Sequence, residues 1–308
     1  MKQRGRALNS QLRNSFWYGG KSMRSHFWNR SAAMLAVAAM AACGGGGGSS
    51  EGAADDAGEA APAAAAVDPS TVGTISGMAN FGGTAPTMEA IDMSAEADCA
   101  AGYGAAGPMA QNVLVSGGGL ANVFVYLSEG VSGAPAASGA ATLDQVNCRY
   151  TPHVLGVQSG QDIEISNSDN LLHNINATPT ENRGFNISQP RAGITSTQRF
   201  AVAEVMVPVR CDVHGWMQAY IGVVDHPYFA VTGTDGSYSI ANVPAGDYTM
   251  TAWHEEFGTM TSSVTVTAGG TAEASFDYSG EMMGADVPMG EALVLEHGTK
   301  RIRVERTQ

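Results

Sequence analysis

Short runs of β-favouring residues, separated by glycine, proline, asparagine and aspartate, dominate the chain from residue 70 to about residue 280. Almost no part of this stretch has the periodicity of an amphipathic helix. The clearest strand candidates have alternating or continuous apolar residues and are bounded by turn residues. They span residues 73–78, 121–127, 153–157, 162–165, 195–200, 205–209 and 219–224. Strands at this spacing predict an all-β fold of antiparallel sandwiches or barrels.

The N-terminal segment has the composition of an export signal. Residues 1–42 contain seven basic and no acidic side chains, and they end in an apolar run over residues 32–42. A basic segment followed by a short apolar run is typical of a secretory signal. The run is too short to cross a bilayer, which takes about 20 residues. We therefore predict a signal peptide over residues 1–42 of an exported protein, with Met23 as an alternative start.

The signal ends at a cysteine in a context that suggests lipid modification. Met40-Ala41-Ala42-Cys43 resembles a bacterial lipobox, although a leucine is more usual at the position of Met40. Residues 43–69 are rich in glycine and alanine, as in a flexible tether. We predict a lipid anchor at Cys43 that holds the protein in the bacterial cell envelope, facing the periplasm or the cell surface. The alternative is a cleaved signal followed by an unmodified cysteine.

A second unit begins near residue 226. The stretch FAVTGTDGSYSIANVPAGDYTMTAWH contains three strand candidates separated by turns at Asp235-Gly236 and Pro244-Ala245-Gly246. It resembles the carboxypeptidase regulatory-like, transthyretin-like domain over residues 226–278. That resemblance implies a small β-sandwich with a structural role. We predict domains at residues 70–225 and 226–279, and a tail over residues 280–308 that is a short helix or disordered.

The most informative motif is the run VPVRCDVHGWM, where Cys211, His214 and Met217 stand three residues apart. A thiolate, an imidazole and a thioether are ligands that suit copper. One short loop between two strands could place all three around one ion. A zinc site is less natural because methionine is a poor zinc ligand.

A second imidazole is available from His173. It follows the polar turn at residues 166–170 and starts a new alternating run, 38 residues before Cys211. That separation leaves room for strands that bring the two residues together across a sandwich. The alternative is that these cysteine, histidine and methionine side chains only pack in a core. Their combination at chelating spacing favours a metal site.

These residues resemble those of the cupredoxins, most closely the amicyanin and plastocyanin group, over roughly residues 145–225. The resemblance implies a Greek-key cupredoxin-like β-sandwich with one type 1 copper ion. By it, Cys211 is the equatorial thiolate, His173 and His214 are the equatorial imidazoles, and Met217 is the weak axial ligand. Asn174 corresponds to the asparagine that hydrogen-bonds across to the cysteine loop.

The resemblance also implies an electron port at His214, so that Gly215 and Trp216 form the candidate docking face. These two residues depart from the family, in which a proline is frequent after this histidine. Asp212 and Val213 within the loop are further departures. Trp216 could equally be a core aromatic.

Other copper chemistries require residues that this motif lacks. A binuclear electron-transfer centre needs a second cysteine at the position of Val207, and a copper oxidase or nitrite reductase needs a histidine beside Cys211, where Arg210 and Asp212 stand. We therefore expect an electron carrier and not an enzyme. Two other classes stay open: an envelope scaffold that binds a glycan or a protein, and a copper storage or delivery protein.

The charge of the mature chain bears on its partners. Removal of the seven basic residues of the signal leaves nine basic and 29 acidic residues, a net charge of about −20. Such a charge argues against nucleic acid as a partner. It favours a basic redox partner, such as a cytochrome c-like protein or an envelope oxidoreductase.

Two further cysteines and three further histidines have structural explanations that are simpler than metal binding. Cys99 and Cys148 are predicted to form a disulfide, since disulfides persist in exported proteins. The alternative is that one of them is a further metal ligand. His153, His226 and His254 could form a second metal site, although hydrogen bonding explains them more simply.

Overall fold

The computed structural model describes residues 68, 70–104 and 107–282. They contain nineteen strands, one five-residue α-helix and a 3₁₀ turn at Gly280–Met282. The prediction of an all-β fold is confirmed. The signal peptide, Cys43, nearly all of the tether and the tail beyond residue 282 lie outside the described residues. None of the helices in the described part of the chain has the length and apolar character needed to cross a membrane.

The elements before residue 170 are numbered in chain order. They are β1 (Val72–Gly82), α1 (Ala97–Ala101), β2 (Val115–Ser116), β3 (Gly119–Leu120), β4 (Phe124–Glu129), β5 (Ala141–Val146), β6 (Arg149–Thr151), β7 (Val154–Gln158) and β8 (Ile163–Asn167). The remaining strands continue the numbering. They are β9 (His173–Ala177), β10 (Phe185–Gln189), β11 (Ile194–Gln198), β12 (Glu204–Arg210), β13 (Gln218–Val224), β14 (Phe229–Val231), β15 (Ser237–Pro244), β16 (Gly246–His254), β17 (Gly258–Val266), β18 (Thr271–Glu273) and β19 (Phe276–Ser279).

Two sheets built from the middle of the chain share one apolar core. Their strand orders are β10-β9-β12-β13-β7 and β11-β8-β5-β6. Alternation along β8 shows how the sequence produces this arrangement, because Ile163 and Ile165 are fully buried whereas Glu164 between them is exposed. The core also contains Cys211 and Met217. The core therefore extends into the loop between β12 and β13, where these two residues lie.

The other two sheets combine the N-terminal strands with the C-terminal ones. One has the order β14-β4-β16-β17. In the other, β1 pairs with β15 and β3 along one edge and with β18 and β19 along the opposite edge. Tyr238 and Ile240 on β15 are buried in a second apolar core, whereas Ser237 and Ser239 on the same strand are exposed. The predicted boundary at residue 226 stays a prediction about domains, but hydrogen-bonded pairs and apolar contacts cross it.

The pairs of sheets meet through a small aromatic cluster around Phe124. Gly156 on β7 and Gly222 on β13 are register partners opposite this ring. A β-carbon at Gly156 would lie 2.4 Å from Phe229 and 2.8 Å from Phe124, and one at Gly222 would lie 2.6 Å from Phe124. The two glycines therefore form the depression in which the Phe124 ring packs.

Candidate metal centre

The loop between β12 and β13 is closed by its own backbone. The Cys211 N–H donates to the Met217 carbonyl at 3.2 Å, and the Met217 N–H donates to the His214 carbonyl at 2.9 Å. The His214 N–H points at the Cys211 Sγ at 3.4 Å. These contacts turn the side chains of Cys211 and His214 inward, where each is only 3% exposed. The loop conformation thus places the Cys211 sulfur and the His214 ring on the same, buried side of the loop.

Strand β9 supplies the second imidazole. It pairs with β12 through Ala177 opposite Val209, which sets His173 beside the loop that follows β12. The Nδ1 atoms of His173 and His214 are 2.9 Å apart, and the Sγ of Cys211 lies 3.9 Å from the His214 Nδ1. The donor atoms of these three buried side chains all lie within 4.8 Å of one another. The structure therefore brings together three of the four ligands predicted from the sequence in a spacing that fits one ion.

Met217, the fourth predicted ligand, is 1% exposed and belongs to the same apolar cluster as Cys211. Its backbone closes the loop, as described above. Its role as an axial ligand stays a prediction.

Asn174 connects the two segments that carry the ligands. Its Oδ1 accepts a hydrogen bond from the Asp212 N–H at 2.7 Å and lies 3.3 Å from the Cys211 Sγ. Its Nδ2 donates to Asp212 Oδ2 at 2.9 Å and to Asn186 Oδ1 at 2.8 Å. One buried amide therefore holds the start of the cysteine loop against β9.

Asp169 fixes the orientation of His173. Its Oδ2 lies 2.9 Å from the His173 Nε2 and accepts the Cys148 N–H at 2.7 Å, while its Oδ1 accepts the Asn147 N–H at 2.8 Å. A carboxylate at one ring nitrogen favours the tautomer whose other nitrogen is free to bind a metal. Asp169 was not predicted as a site residue, although its position four residues before His173 in a polar turn is a signal that could have been read.

The local electrostatics favour the donor forms of Cys211 and His214, whereas they favour protonation of His173. Burial opposes ionisation of Cys211, but hydrogen bonds from His173 and from backbone N–H groups outweigh it and lower the pKa of the thiol. Burial, and then the charge of His173, lower the pKa of His214. Burial also acts against protonation of His173, yet hydrogen bonds to Cys211 and Asp169 raise its pKa overall. A thiolate beside a neutral His214 is the state in which both can bind a metal ion.

The outer edge of His214, where the resemblance implied an electron port, is covered by other residues. Its Nε2 lies 3.9 Å from the Cys99 Sγ and 3.9 Å from Glu96 Oε2. Trp216 is half-buried, with its ring centre 5.1 Å from that of His214 and its indole N–H donating to the Cys148 carbonyl. No sequence pattern marked Glu96 as a neighbour of the site.

Three small or aliphatic residues are exposed next to the ligand residues. Gly215 is exposed, and so are Val213 and Leu172, which directly precede the two ligand histidines. Val213 is 49% exposed and Leu172 is 44% exposed. The assignment of Gly215 and Trp216 as the docking face stays a prediction, and the structure adds these two aliphatic side chains to the same surface.

Cys99 and Cys148 are joined by a disulfide. Cys99 lies in α1, within a segment that we call the cover loop, defined by the described residues 89–104 and 107–110. The neck of this loop is closed where the Ile91 N–H donates to the Pro108 carbonyl and the Ala110 N–H donates to the Glu89 carbonyl. The disulfide ties the cover loop to the turn between β5 and β6.

The remaining histidines do not form a metal cluster within the described ranges. His153 contacts Glu255 at 2.5 Å, His226 Nε2 lies 2.8 Å from the Leu127 carbonyl, and His254 Nδ1 accepts the Glu256 N–H. Among the residues that the structure describes, two groups of histidine, cysteine and carboxylate side chains are spaced for a metal, His173–Cys211–His214 and Cys148–Asp169–His173.

Comparison with known proteins gives limited matches. The family model described as polysaccharide lyase family 4, domain II, matches residues 198–274, and no curated protein matches. A purple cupredoxin from Nitrosopumilus maritimus is 19% identical over 27% of this chain and 98% of that chain, with a TM-score of 0.24.

Two further solved structures are similar at the same level. A copper-containing nitrite reductase from Thermus scotoductus SA-01 is 17% identical over 31% of this chain, with a TM-score of 0.26. The match spans only 24% of that enzyme. A methionine-to-alanine mutant of amicyanin in its Cu(I) form is 17% identical over 32% of this chain and 97% of that chain, with a TM-score of 0.25.

Proposed function

We propose that this chain is an exported protein that holds one type 1 copper ion and passes single electrons without acting as an enzyme. The observation that carries the proposal is the convergence of His173, Cys211 and His214, three buried side chains whose donor atoms lie within 4.8 Å. Bound copper would supply the one-electron redox chemistry.

The protein residues serve to hold and shield the ion. A thiolate with two imidazoles and a nearby thioether is the donor set of such a site. Asn174 accepts a hydrogen bond from the Asp212 N–H beside Cys211, and Asp169 hydrogen-bonds to the His173 ring. Both contacts fix the positions of the ligand side chains. Burial of all three donors keeps water out, and a rigid shell keeps the rearrangement on electron transfer small.

The test is the visible absorption of the purified protein after loading with Cu(II). We expect intense thiolate-to-copper charge transfer that is bleached by one electron equivalent of reductant. Cys211→Ser should abolish the colour, whereas Ser188→Ala, on the exposed side of β10, should leave it unchanged. A colourless wild-type protein that carries a full equivalent of Cu(II) would refute the proposal.

A glycan-binding envelope protein is the second candidate, and the match of residues 198–274 to a polysaccharide lyase domain is what favours it. The Cys211→Ser variant separates the two, because a glycan binder would keep its retention on immobilised polysaccharide. A copper delivery protein would instead transfer its ion to an acceptor chelate without reversible redox cycling.

Export and anchoring at Cys43 are also part of the proposal. Metabolic labelling with a radioactive fatty acid should mark the wild-type protein in a bacterial host and should not mark the Cys43→Ser variant. Equal labelling of both would contradict the anchor.

A further inference from the structure

Possible metal donor atoms lie on both sides of the His173 and His214 rings. Their Nδ1 atoms approach each other at 2.9 Å on the side of Cys211. On the other side, the His214 Nε2 lies 3.9 Å from the Cys99 Sγ of the disulfide, and the His173 Nε2 lies 2.9 Å from Asp169 Oδ2. Only the first group takes part in the proposed copper site.

The second group contains chemistry suited to a metal. The Cys148 Sγ, an Asp169 carboxylate oxygen and a ring nitrogen of His173 lie within 4.8 Å of one another. The Cys99 sulfur is bonded to that of Cys148 and would add a second thiolate once the bond is broken. Two thiolates with nitrogen and carboxylate donors suit zinc, cadmium or Cu(I).

The two sulfurs are held in place by more than their own bond. The Cys148 N–H donates to Asp169 at 2.7 Å, and the Cys148 carbonyl accepts the Trp216 indole N–H at 3.1 Å. On the other side, Tyr103 of the cover loop donates from its hydroxyl to the Asn147 carbonyl at 2.7 Å. Both sulfurs are buried, at 2% exposure or less. Reduction would therefore leave two thiols close together beside the carboxylate.

We propose that reduction of the Cys99–Cys148 disulfide opens a second metal site, formed by the two thiolates with Asp169 and the Nε2 of His173. A dithiol reductant donates two electrons and two protons to the disulfide and is itself oxidised to a disulfide. The metal ion then displaces the two thiol protons as it binds, and the proton on the His173 Nε2 moves to Nδ1 so that Nε2 can bind the ion. This inference goes beyond the proposed copper function and does not require copper.

The test uses Cys211→Ser protein, which removes the copper thiolate. Cd(II) is titrated into the oxidised form and into the form reduced with a phosphine, which does not itself supply thiolates. We expect one equivalent of Cd(II) with an ultraviolet thiolate-to-cadmium band in the reduced form alone. The same low Cd(II) binding in both forms would overturn the proposal.

Two variants in the same Cys211→Ser background distinguish a built site from a flexible pair of thiols. Adding Cys99→Ser and Cys148→Ser should abolish the band. Adding Asp169→Asn should weaken Cd(II) binding by about 10–100-fold, since a carboxylate of a folded site is lost. Unchanged affinity in the Asp169→Asn variant would also overturn the proposal. Every arm lacks Cys211, so a failure here is distinct from a failure of the copper function.

Discussion

Asn174 is the residue through which the candidate metal centre depends on the rest of the fold. Its side chain contacts the backbone of Asp212, the Cys211 sulfur and the Asn186 amide. A buried amide in this position restricts where the sulfur can lie relative to β9. The same contacts couple the stability of the loop to its affinity for a metal ion.

Replacing Asn174 by alanine should therefore affect both properties. We expect the free energy of unfolding of the metal-free protein to fall by about 1–3 kcal/mol, because polar groups lose their partner. Copper affinity should fall by about 10–100-fold. Urea denaturation and competition with a chelator measure the two effects. Ser188→Ala is the control, since Ser188 is exposed on the neighbouring strand β10, and an equal loss in both variants would contradict this role.

The site could be predicted from the sequence only as far as its short-range motif extends. Cys211 and His214 belong to one run of residues whose chemistry can be recognised without knowledge of the fold, and the polar turn before His173 and its 38-residue separation predict it as their partner, as the resemblance also implies. The positions of Glu96 and Cys99 against His214 depend on how the cover loop crosses the molecule. Contacts between segments more than 100 residues apart leave no local pattern to read.

Paired glycines on β7 and β13 determine how closely two of the sheets approach each other. Gly156→Ala or Gly222→Ala would place a methyl group within 2.4–2.8 Å of aromatic ring atoms. We expect each to lower the free energy of unfolding by about 1–3 kcal/mol through overpacking. Thermal or urea unfolding measures the loss. Gly104→Ala is the control because nothing lies within 4 Å of its added carbon, and a loss of the same size there would contradict the explanation.

Glu204 at the start of β12 anchors the turn that follows β9. Its carboxylate accepts the Thr180 N–H at 2.6 Å, the Asn182 N–H at 3.1 Å and the Asn182 side-chain amide at 3.0 Å. Burial opposes the charge, but these hydrogen bonds outweigh it and lower the pKa of Glu204. The folded state therefore prefers the ionised form more strongly than the unfolded state does.

This preference makes the contribution of Glu204 depend on pH. It is fully present above the pKa of an unfolded glutamate, about 4.3, and is lost as the pH falls through the lowered pKa of the folded state. Glu204→Gln should lower the free energy of unfolding by about 1–3 kcal/mol at pH 7, and the difference should shrink in acid. Glu164→Gln, on an exposed position of β8, should show little change. A loss for Glu204→Gln that does not vary between pH 7 and pH 3 would contradict the assignment.

Strand positions were legible from the sequence, whereas strand partners were not. The turns at Asp235-Gly236 and Pro244-Ala245-Gly246 predict three strands, and β14, β15 and β16 lie there. The sequence divides the chain at residue 226, yet β15 pairs with β1 and β16 pairs with β4. Alternation tells which face of a strand is buried but not which strand lies beside it.

The net negative charge of the chain bears on how the proposed redox partner would approach it. The chain carries 29 acidic and 16 basic residues, seven of the basic ones in the predicted signal. Electron transfer from the copper-loaded protein to a basic cytochrome c should slow as ionic strength rises, because salt screens the attraction. Stopped-flow kinetics at increasing sodium chloride measures this. A rate that rises with salt would show that the negative charge of the chain does not attract the basic partner.

The position of β1 has a consequence for the order in which the newly made chain can fold. The strand is flanked on one edge by β18 and β19, and its Met78 N–H donates to the hydroxyl of Ser275, 197 positions later. At roughly 5–20 residues per second, β1 leaves the ribosome about 10–40 s before those neighbours exist. The strands of the sandwich that carries the candidate metal centre all precede residue 225, whereas one edge of β1 has no partner until β18 and β19 follow. Foreign strands can pair with such an edge, so a chain whose synthesis stops before residue 271 would expose β1 to pairing with other chains.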